Sequence, residues 1–190
     1  MKTKKNILKK FRSIKLLLVL SLFIISSCGS KSNLINTNPY ENKNIITGNV
    51  IEVTITDLRK DISNKEIKIS LLTFPGMKEE VSPILQENTI KVIKDEIVKQ
   101  FSGNSDTSYN VEIKIVDGKV GFKASAFNEK EYTNVEIEII TTDQFKNTKN
   151  YKSNEYLEIK SIDASKAYLQ KLFERGFINA IHKGFKENIK

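Results

Sequence analysis

The chain contains one cysteine, and its neighbours define what that thiol can do. Ile25-Ser26-Ser27-Cys28 sets an aliphatic residue and two small serines ahead of Cys28. That is the pattern read by the lipoprotein-processing peptidase, so Cys28 is the candidate lipidation site: its thiol is acylated and cleavage makes it the first residue of the mature chain. Acyl chains worth about 0.8 kcal/mol per buried methylene, several per molecule, give an effectively permanent membrane anchor. With no second thiol there is no intrachain disulfide, and the fold must stand on its core.

Other chemistry is sparse. His182 is the sole histidine, so no His/Cys cluster with metal-ligand spacing exists and no metal site is expected. A lone helical histidine without a Gly-x-Ser-x-Gly elbow is read as a surface or rim residue rather than a catalytic base. Neither Gly-x-x-x-x-Gly-Lys nor Gly-x-Gly-x-x-Gly occurs, so no nucleotide or other cofactor is expected. Glu129, Glu131, Glu136 and Glu138 alternate along one segment, as the solvated face of a strand does. Asp57 and Arg59 are the most suggestive polar pair. Two apart at a strand end, they point the same way, and an arginine fork there either holds a ligand carboxylate or phosphate or forms a structural ion pair.

The flanking segments explain the charge. Lys2, Lys4, Lys5, Lys9, Lys10, Arg12 and Lys15 precede an apolar run from Leu16 to Ile25, too short for a spanning helix of about 20 residues. Residues 1–27 are therefore expected to be a signal peptide. The chain holds 31 Lys+Arg against 23 Asp+Glu, and seven of the bases lie before Cys28, so the mature form carries 24 − 23 = +1. With acids and bases interleaved in the remainder, nucleic-acid binding is not expected. Residues 28–44, rich in Ser, Asn and Lys, are expected to be a flexible tether. Residues 45–190 then form a single domain.

Within that domain the spacing predicts an α+β fold. Ile51, Val53 and Ile55 alternate as in a half-buried strand, and a second strand is expected over 66–74 before a Pro75-Gly76 turn. Ser82-Pro83 reads as a helix cap and first helical residue, with the helix running over 82–101 along Ile90, Ile93, Ile97 and Phe101. Strands follow at Val111 to Ile115, at Phe122 to Ala126 beyond an Asp117-Gly118 hairpin, at Val135 to Ile139, and at 151–159 after a turn at 147–150. A last helix over 163–186 repeats Leu169, Phe173, Phe177, Ile181 and Phe185, beside a row of small residues, Gly176, Ala180 and Gly184. Such a row either packs closely on a neighbouring layer or forms a partner-binding groove. The whole is expected to be an antiparallel sheet of about five to six strands with two amphipathic helices on one face.

This order of elements resembles the YajG-like family of bacterial envelope lipoproteins. The resemblance is carried by Val53-Thr54-Ile55-Thr56-Asp57-Leu58-Arg59 and by Thr148-Lys149-Asn150-Tyr151-Lys152. It implies a small α+β envelope domain with no established catalytic activity. The expected function is a non-enzymatic accessory or structural lipoprotein, anchored in the membrane through Cys28 and binding an envelope protein partner. The alternative is a carrier that holds a lipid or glycan between sheet and helices. Gly29, which is not the aspartate that retains many lipoproteins at the inner membrane, is compatible with an outer-membrane protein facing the periplasm. Changing Cys28→Ala is expected to leave an uncut, unlipidated precursor; incorporation of labelled fatty acid into that variant would refute the assignment.

Overall fold

The computed structural model describes residues 45–187 apart from 66, 68–73, 104, 126–128 and 161–165. The signal peptide, the tether and Cys28 lie outside them, as do most of the strand expected over 66–74, Ala126 and the first residues of the last helix. Six strands and two helices follow in the order β1 (Asn49–Asp57), β2 (Ile62–Ser63), β3 (Lys78–Pro83), α1 (Glu87–Val98), β4 (Ser108–Ala124), β5 (Glu129–Asp143), β6 (Thr148–Lys160) and α2 (Lys166–Glu187). They make an α+β fold with one mixed sheet, ordered β2-β3-β4-β5-β6, and β1 also pairs with β4. The β3-β4-β5-β6 ladder is antiparallel as expected, whereas β1 runs parallel to β4. A parallel pair needs a crossover, and β2, β3 and α1 supply it.

The Asp117-Gly118 pair is not a hairpin. β4 continues straight through it, and the ladder to β5 slips by one residue between Ile115 and Asp117, leaving Val116 unpaired in a bulge. The burial pattern records the slip: Val111, Ile113 and Ile115 face the core before the bulge, and Val120, Phe122 and Ala124 after it. Both halves of β4 thereby pair with the long strand β5, with Ile113 opposite Ile139 and Phe122 opposite Glu131. The turn expected over 147–150 lies at 143–147, between β5 and β6, where Asp143 accepts hydrogen bonds from the backbone N–H groups of Phe145 and Asn147, each at 2.8 Å.

Ser82-Pro83 does not start a helix either. These residues end β3, and α1 begins at Glu87 with Gln86 as an N-cap that makes no side-chain cap. Local cap chemistry loses here to a tertiary use, because Ser82 Oγ donates to the Gly118 carbonyl at 2.8 Å. At its other end α1 stops at Val98, and Phe101 bridges Ile46 while Gly103 takes the left-handed backbone (φ 70°) that ends the turn.

The core lies between the sheet and the helices. Ile93 and Ile97 of α1 and Leu169, Phe173, Phe177, Ile181 and Phe185 of α2 are buried against Ile113, Ile115, Val135, Ile137 and Ile139. Gly176, Ala180 and Gly184, weighed above as a partner groove, are the ridge on which α2 meets the sheet. Ala180 is fully buried, and a Cβ at Gly176 would come within 2.9 Å of both Thr133 Cγ2 and Val135 Cγ2. Gly184 has more room, with Ser153 Cβ 3.4 Å from where its own Cβ would sit.

The two glycines therefore respond oppositely to the same change. Alanine is better than glycine inside a helix by about 1 kcal/mol, which Gly184→Ala gains at ordinary contact distance. Gly176→Ala meets two branched side chains of β5, and overpacking of that kind costs about 1–3 kcal/mol. Thermal unfolding of the domain should show a raised Tm for Gly184→Ala and a lowered Tm for Gly176→Ala. A raised Tm in both would mean that α2 can back away from β5.

Candidate functional site

β1 and β3 pair with the same edge of β4, β1 along residues 108–115 and β3 along 120–123. Arg59 fills the gap between them. Its Nε and Nη2 hold Asp57 in a fork at 2.8 and 2.7 Å. Nη1 donates to Ser82 Oγ, the Pro83 carbonyl and the Gly118 carbonyl at 3.2, 2.9 and 3.1 Å. The guanidinium is buried and stands 5.9 Å over the Phe173 ring. A Cβ at Gly118 would approach Arg59 Cδ to 3.2 Å, so glycine at the bulge makes room for this side chain. Burial raises the Asp57 pKa, but hydrogen bonding and charge from Arg59 outweigh it and hold the carboxyl below the usual aspartate range. The pair considered as a ligand fork thus has its donors turned inward, where they join the ends of β1 and β3 to the middle of β4.

His182 is buried at 3% side-chain exposure, not at the rim. Its Nε2 lies 2.6 Å from Glu96 Oε1, linking α2 to α1. Lys99 and Gln100 add further hydrogen bonds to the same carboxylate at 3.0 and 3.4 Å. A second polar link sits up-helix, where Gln170 Nε2 donates to Thr89 Oγ1 at 2.6 Å. The two links fix α1 and α2 side by side and running the same way. Burial raises the Glu96 pKa, yet the bonds from His182 and Lys99 prevail and leave it below the ordinary glutamate value.

The outer face of the sheet, away from the helices, carries a cluster that no short motif announces. Tyr132 of β5 lies flat over Gly121 of β4, where a Cβ would come within 2.9 Å of its hydroxyl oxygen. Its hydroxyl donates to Glu80 Oε2 at 2.7 Å, and Tyr156 of β6 stacks on its ring at a centroid distance of 5.8 Å. Tyr132 is buried, whereas Tyr156 is 50% exposed. Lys78 and Lys123 stand over the Tyr132 ring at 5.6 and 5.9 Å. Lys123 and Lys130 both bridge to Glu158, which also accepts from the Tyr156 hydroxyl at 2.8 Å. The hydrogen bond from Lys123, then those from Lys130 and Tyr156, hold Glu158 down to about 2. Burial first and Glu80 second push the Tyr132 phenol up, so it stays a protonated donor.

One end of this face is a ladder of like charge. Lys78 sits opposite Lys123, Lys123 opposite Lys130, and Lys130 opposite Lys160. These four lysines stand against Glu80 and Glu158, an excess of 4 − 2 = +2 around an aromatic platform. Like charges directly across strands are unfavourable. The arrangement presents positive charge beside a half-exposed ring.

The sequence reading missed this platform because its members are far apart in the chain. The signal that finds them is register: in the β5–β6 hairpin paired residues sum to 290, as in Tyr132 with Glu158 and Asn134 with Tyr156. That puts Tyr132 and Tyr156 on one face as diagonal neighbours. Of the four glutamates expected on the solvated face of β5, Glu136 is exposed, Glu129 and Glu138 are half-buried, and Glu131 is buried on the inner face.

No family model and no curated protein matches the chain. Among solved structures, it is similar to a minor lipoprotein from Acinetobacter baumannii, with 9% identity and a TM-score of 0.35 over 72% of this chain and 91% of that one. It is also similar to a Xanthomonas campestris protein of the DUF330 family, with 11% identity and a TM-score of 0.40 over 78% of this chain and 88% of that one.

The Glu96 link sets a pH dependence. A carboxyl whose folded pKa lies below its unfolded value of 4.5 contributes stability that is fully present above that value and is lost as pH falls through the folded one. Glu96→Gln is expected to be about 1–3 kcal/mol less stable at neutral pH and to lose less on acidification than the parent. Urea unfolding from pH 7 to pH 3 checks this; identical acid slopes would assign the pH dependence to other carboxylates.

Proposed function

We propose that this chain is a non-enzymatic lipoprotein of the bacterial envelope that holds an acidic envelope protein against the outer face of its sheet. The observation that carries this reading is the platform of Tyr156 on Tyr132, ringed by lysines in excess of acids. Anchoring rests on the Ile25 to Cys28 pattern, and the resemblance to YajG-like lipoproteins rests on residues 53–59 and 148–152. Among the described residues no helix is long and apolar enough to cross a membrane, and no group of His, Cys, Asp and Glu has the makings of a metal site. Gly29 after the lipidated cysteine favours the outer membrane, with the domain facing the periplasm.

A carrier reading draws less support. The layer between sheet and helices, where a lipid or glycan would sit, is filled by Phe173, Phe177, Ile181 and Phe185, and α2 approaches β5 as closely as Gly176 allows. A protein partner needs no such cavity. Rings and lysines on an open sheet face are what an interface core and its rim require.

The test is site-specific photo-crosslinking in growing cells. A photoreactive residue at position 156 is expected to give a discrete adduct with an acidic envelope protein, and the same residue at exposed Lys91 on α1 none. The adduct should weaken sharply at high salt, because screened charges contribute little. No adduct at 156, or equal adducts at both positions, would refute the platform as the binding face.

A further inference from the structure

We infer that the β5–β6 hairpin tip is a membrane-contact element, in which Phe145 enters the interfacial layer of the bilayer that holds the lipid on Cys28. The inference rests on the anchoring part of the proposed function and adds an orientation to it. Phe145 is 72% exposed, more than any other large apolar residue described, and makes no ring contact among the described residues.

The turn that presents it is built firmly. Asp143 accepts from the N–H groups of Phe145 and Asn147 and from Asn147 Nδ2, all at 2.8 Å. Asp143 N and Asn147 O close the hairpin at 3.0 Å, and Lys146 is held in the left-handed region at φ 66°. A side chain on a pinned tip points outward because the backbone leaves it no other direction.

Position identifies the occupant. The described chain enters the domain beside α1's end, where the N–H groups of Ile45 and Ile46 both meet the Gln100 carbonyl. β1 then starts with Asn49 opposite Ser108, and Ser108 exchanges hydrogen bonds with Gln144 of the tip. Chain entry and Phe145 therefore share one end of the sheet, separated by two strand spacings of about 4.8 Å each. Residues 28–44 span at most about 60 Å when fully extended, so this end stays within reach of the anchoring bilayer. Exposed Ile51, on the β1 bulge, and Lys146 and Lys149 lie at the same end. Lysines beside an exposed ring suit a lipid interface, their stems apolar and their ammonium groups among phosphates. Glu52, Asp106 and the tip's own Asp143, whose carboxyl the hydrogen bond from Asn147 holds below the usual range, outweigh those two lysines, so the ring, not net charge, drives the contact. One ring is too weak to bind a membrane unaided; it orients a chain already tethered there. The lysine–tyrosine platform, up to about 50 Å along β4 at roughly 3.3 Å per residue, then lies at the end of the sheet far from the lipid.

The absence of tryptophan from the chain supplies the probe. Phe145→Trp and, as comparison, Phe74→Trp place single indoles at opposite ends of the sheet, Phe74 being comparably exposed beside the turn where Gly76 N meets the Ala124 carbonyl. Each full-length protein is recovered from cell membranes, checked for acylation of the Cys28 peptide by mass, and reconstituted into phosphatidylethanolamine–phosphatidylglycerol vesicles with brominated acyl chains. The indole of the Phe145→Trp variant is expected to emit to the blue and to be quenched several-fold more than that of the Phe74→Trp variant. Acylated protein with equal quenching at both positions overturns the tip contact and leaves the anchor standing. An unacylated Cys28 overturns the anchor and the tip contact with it. A blue shift of the Phe145→Trp variant that grows with protein concentration without vesicles assigns the ring to a second copy of the chain, and also overturns it.

Discussion

Two strands sharing one edge of a third is the constraint on which the structure turns. β1 and β3 approach β4 from the same side, one parallel and one antiparallel, and between them the ladder has nothing to pair with. Unpaired carbonyls at that depth are costly. Arg59 closes the gap because guanidinium alone combines enough donors with a permanent charge and a rigid fork. Its fork neutralises against Asp57, while Nη1 takes the carbonyls of Pro83 and Gly118. Lysine, a point charge with three donors, could not span these partners. The bulge at Val116, the glycine at 118 and the strand-ending Ser82-Pro83 are all shaped around that one side chain.

This also decides what was legible in the residues. Strands and helices with a clean period were readable: Val53 in β1, Ile113 and Ile115 in β4, Ile137 and Ile139 in β5, and the four-residue stripe of α2 all face the core as their spacing implies. Asp117-Gly118 was misread because a one-residue slip of the inward phase is common to a hairpin and a bulge. Only the length of β5, long enough to pair with both halves of β4, separates them. Ser82-Pro83 carries the same local chemistry at a helix start and at a strand end. Its outcome depends on Arg59, more than twenty residues away. His182 was placed at a rim by frequency, whereas its partner Glu96 lies on another helix and leaves no trace near it in sequence.

Of the candidate sites, the sequence named one polar pair and one row of small residues, both local, and these are occupied by the fold itself. Asp57 and Arg59 face each other and the strand ends. Gly176 and Gly184 face β5 and β6, and Ala180 between them is fully buried. The outer platform was invisible for the opposite reason, being assembled across four strands from residues each unremarkable alone. A tyrosine over a glycine, a second tyrosine on the diagonal and a lysine at each rung acquire meaning only when register stacks them. Surface function on a sheet is written across the strands, and hydrophobic periodicity reads only along them.

The lysine ladder shows how such a face is tolerated. Lys78, Lys123, Lys130 and Lys160 repel across adjacent rungs, and the next row supplies the counterweight: Glu158 takes Lys123 and Lys130 together, and Glu80 takes Lys78. Screening by solvent keeps each of these exposed pairs weak on its own. Their geometry matters more than their energy, since Glu158 also fixes the Tyr156 hydroxyl and thereby the ring that stacks on Tyr132. Charge compensation and ring placement are thus one network, and Lys160, which has no ion-pair partner among the described residues, remains its open cationic end. The fold thus leaves this row of the sheet short of anions.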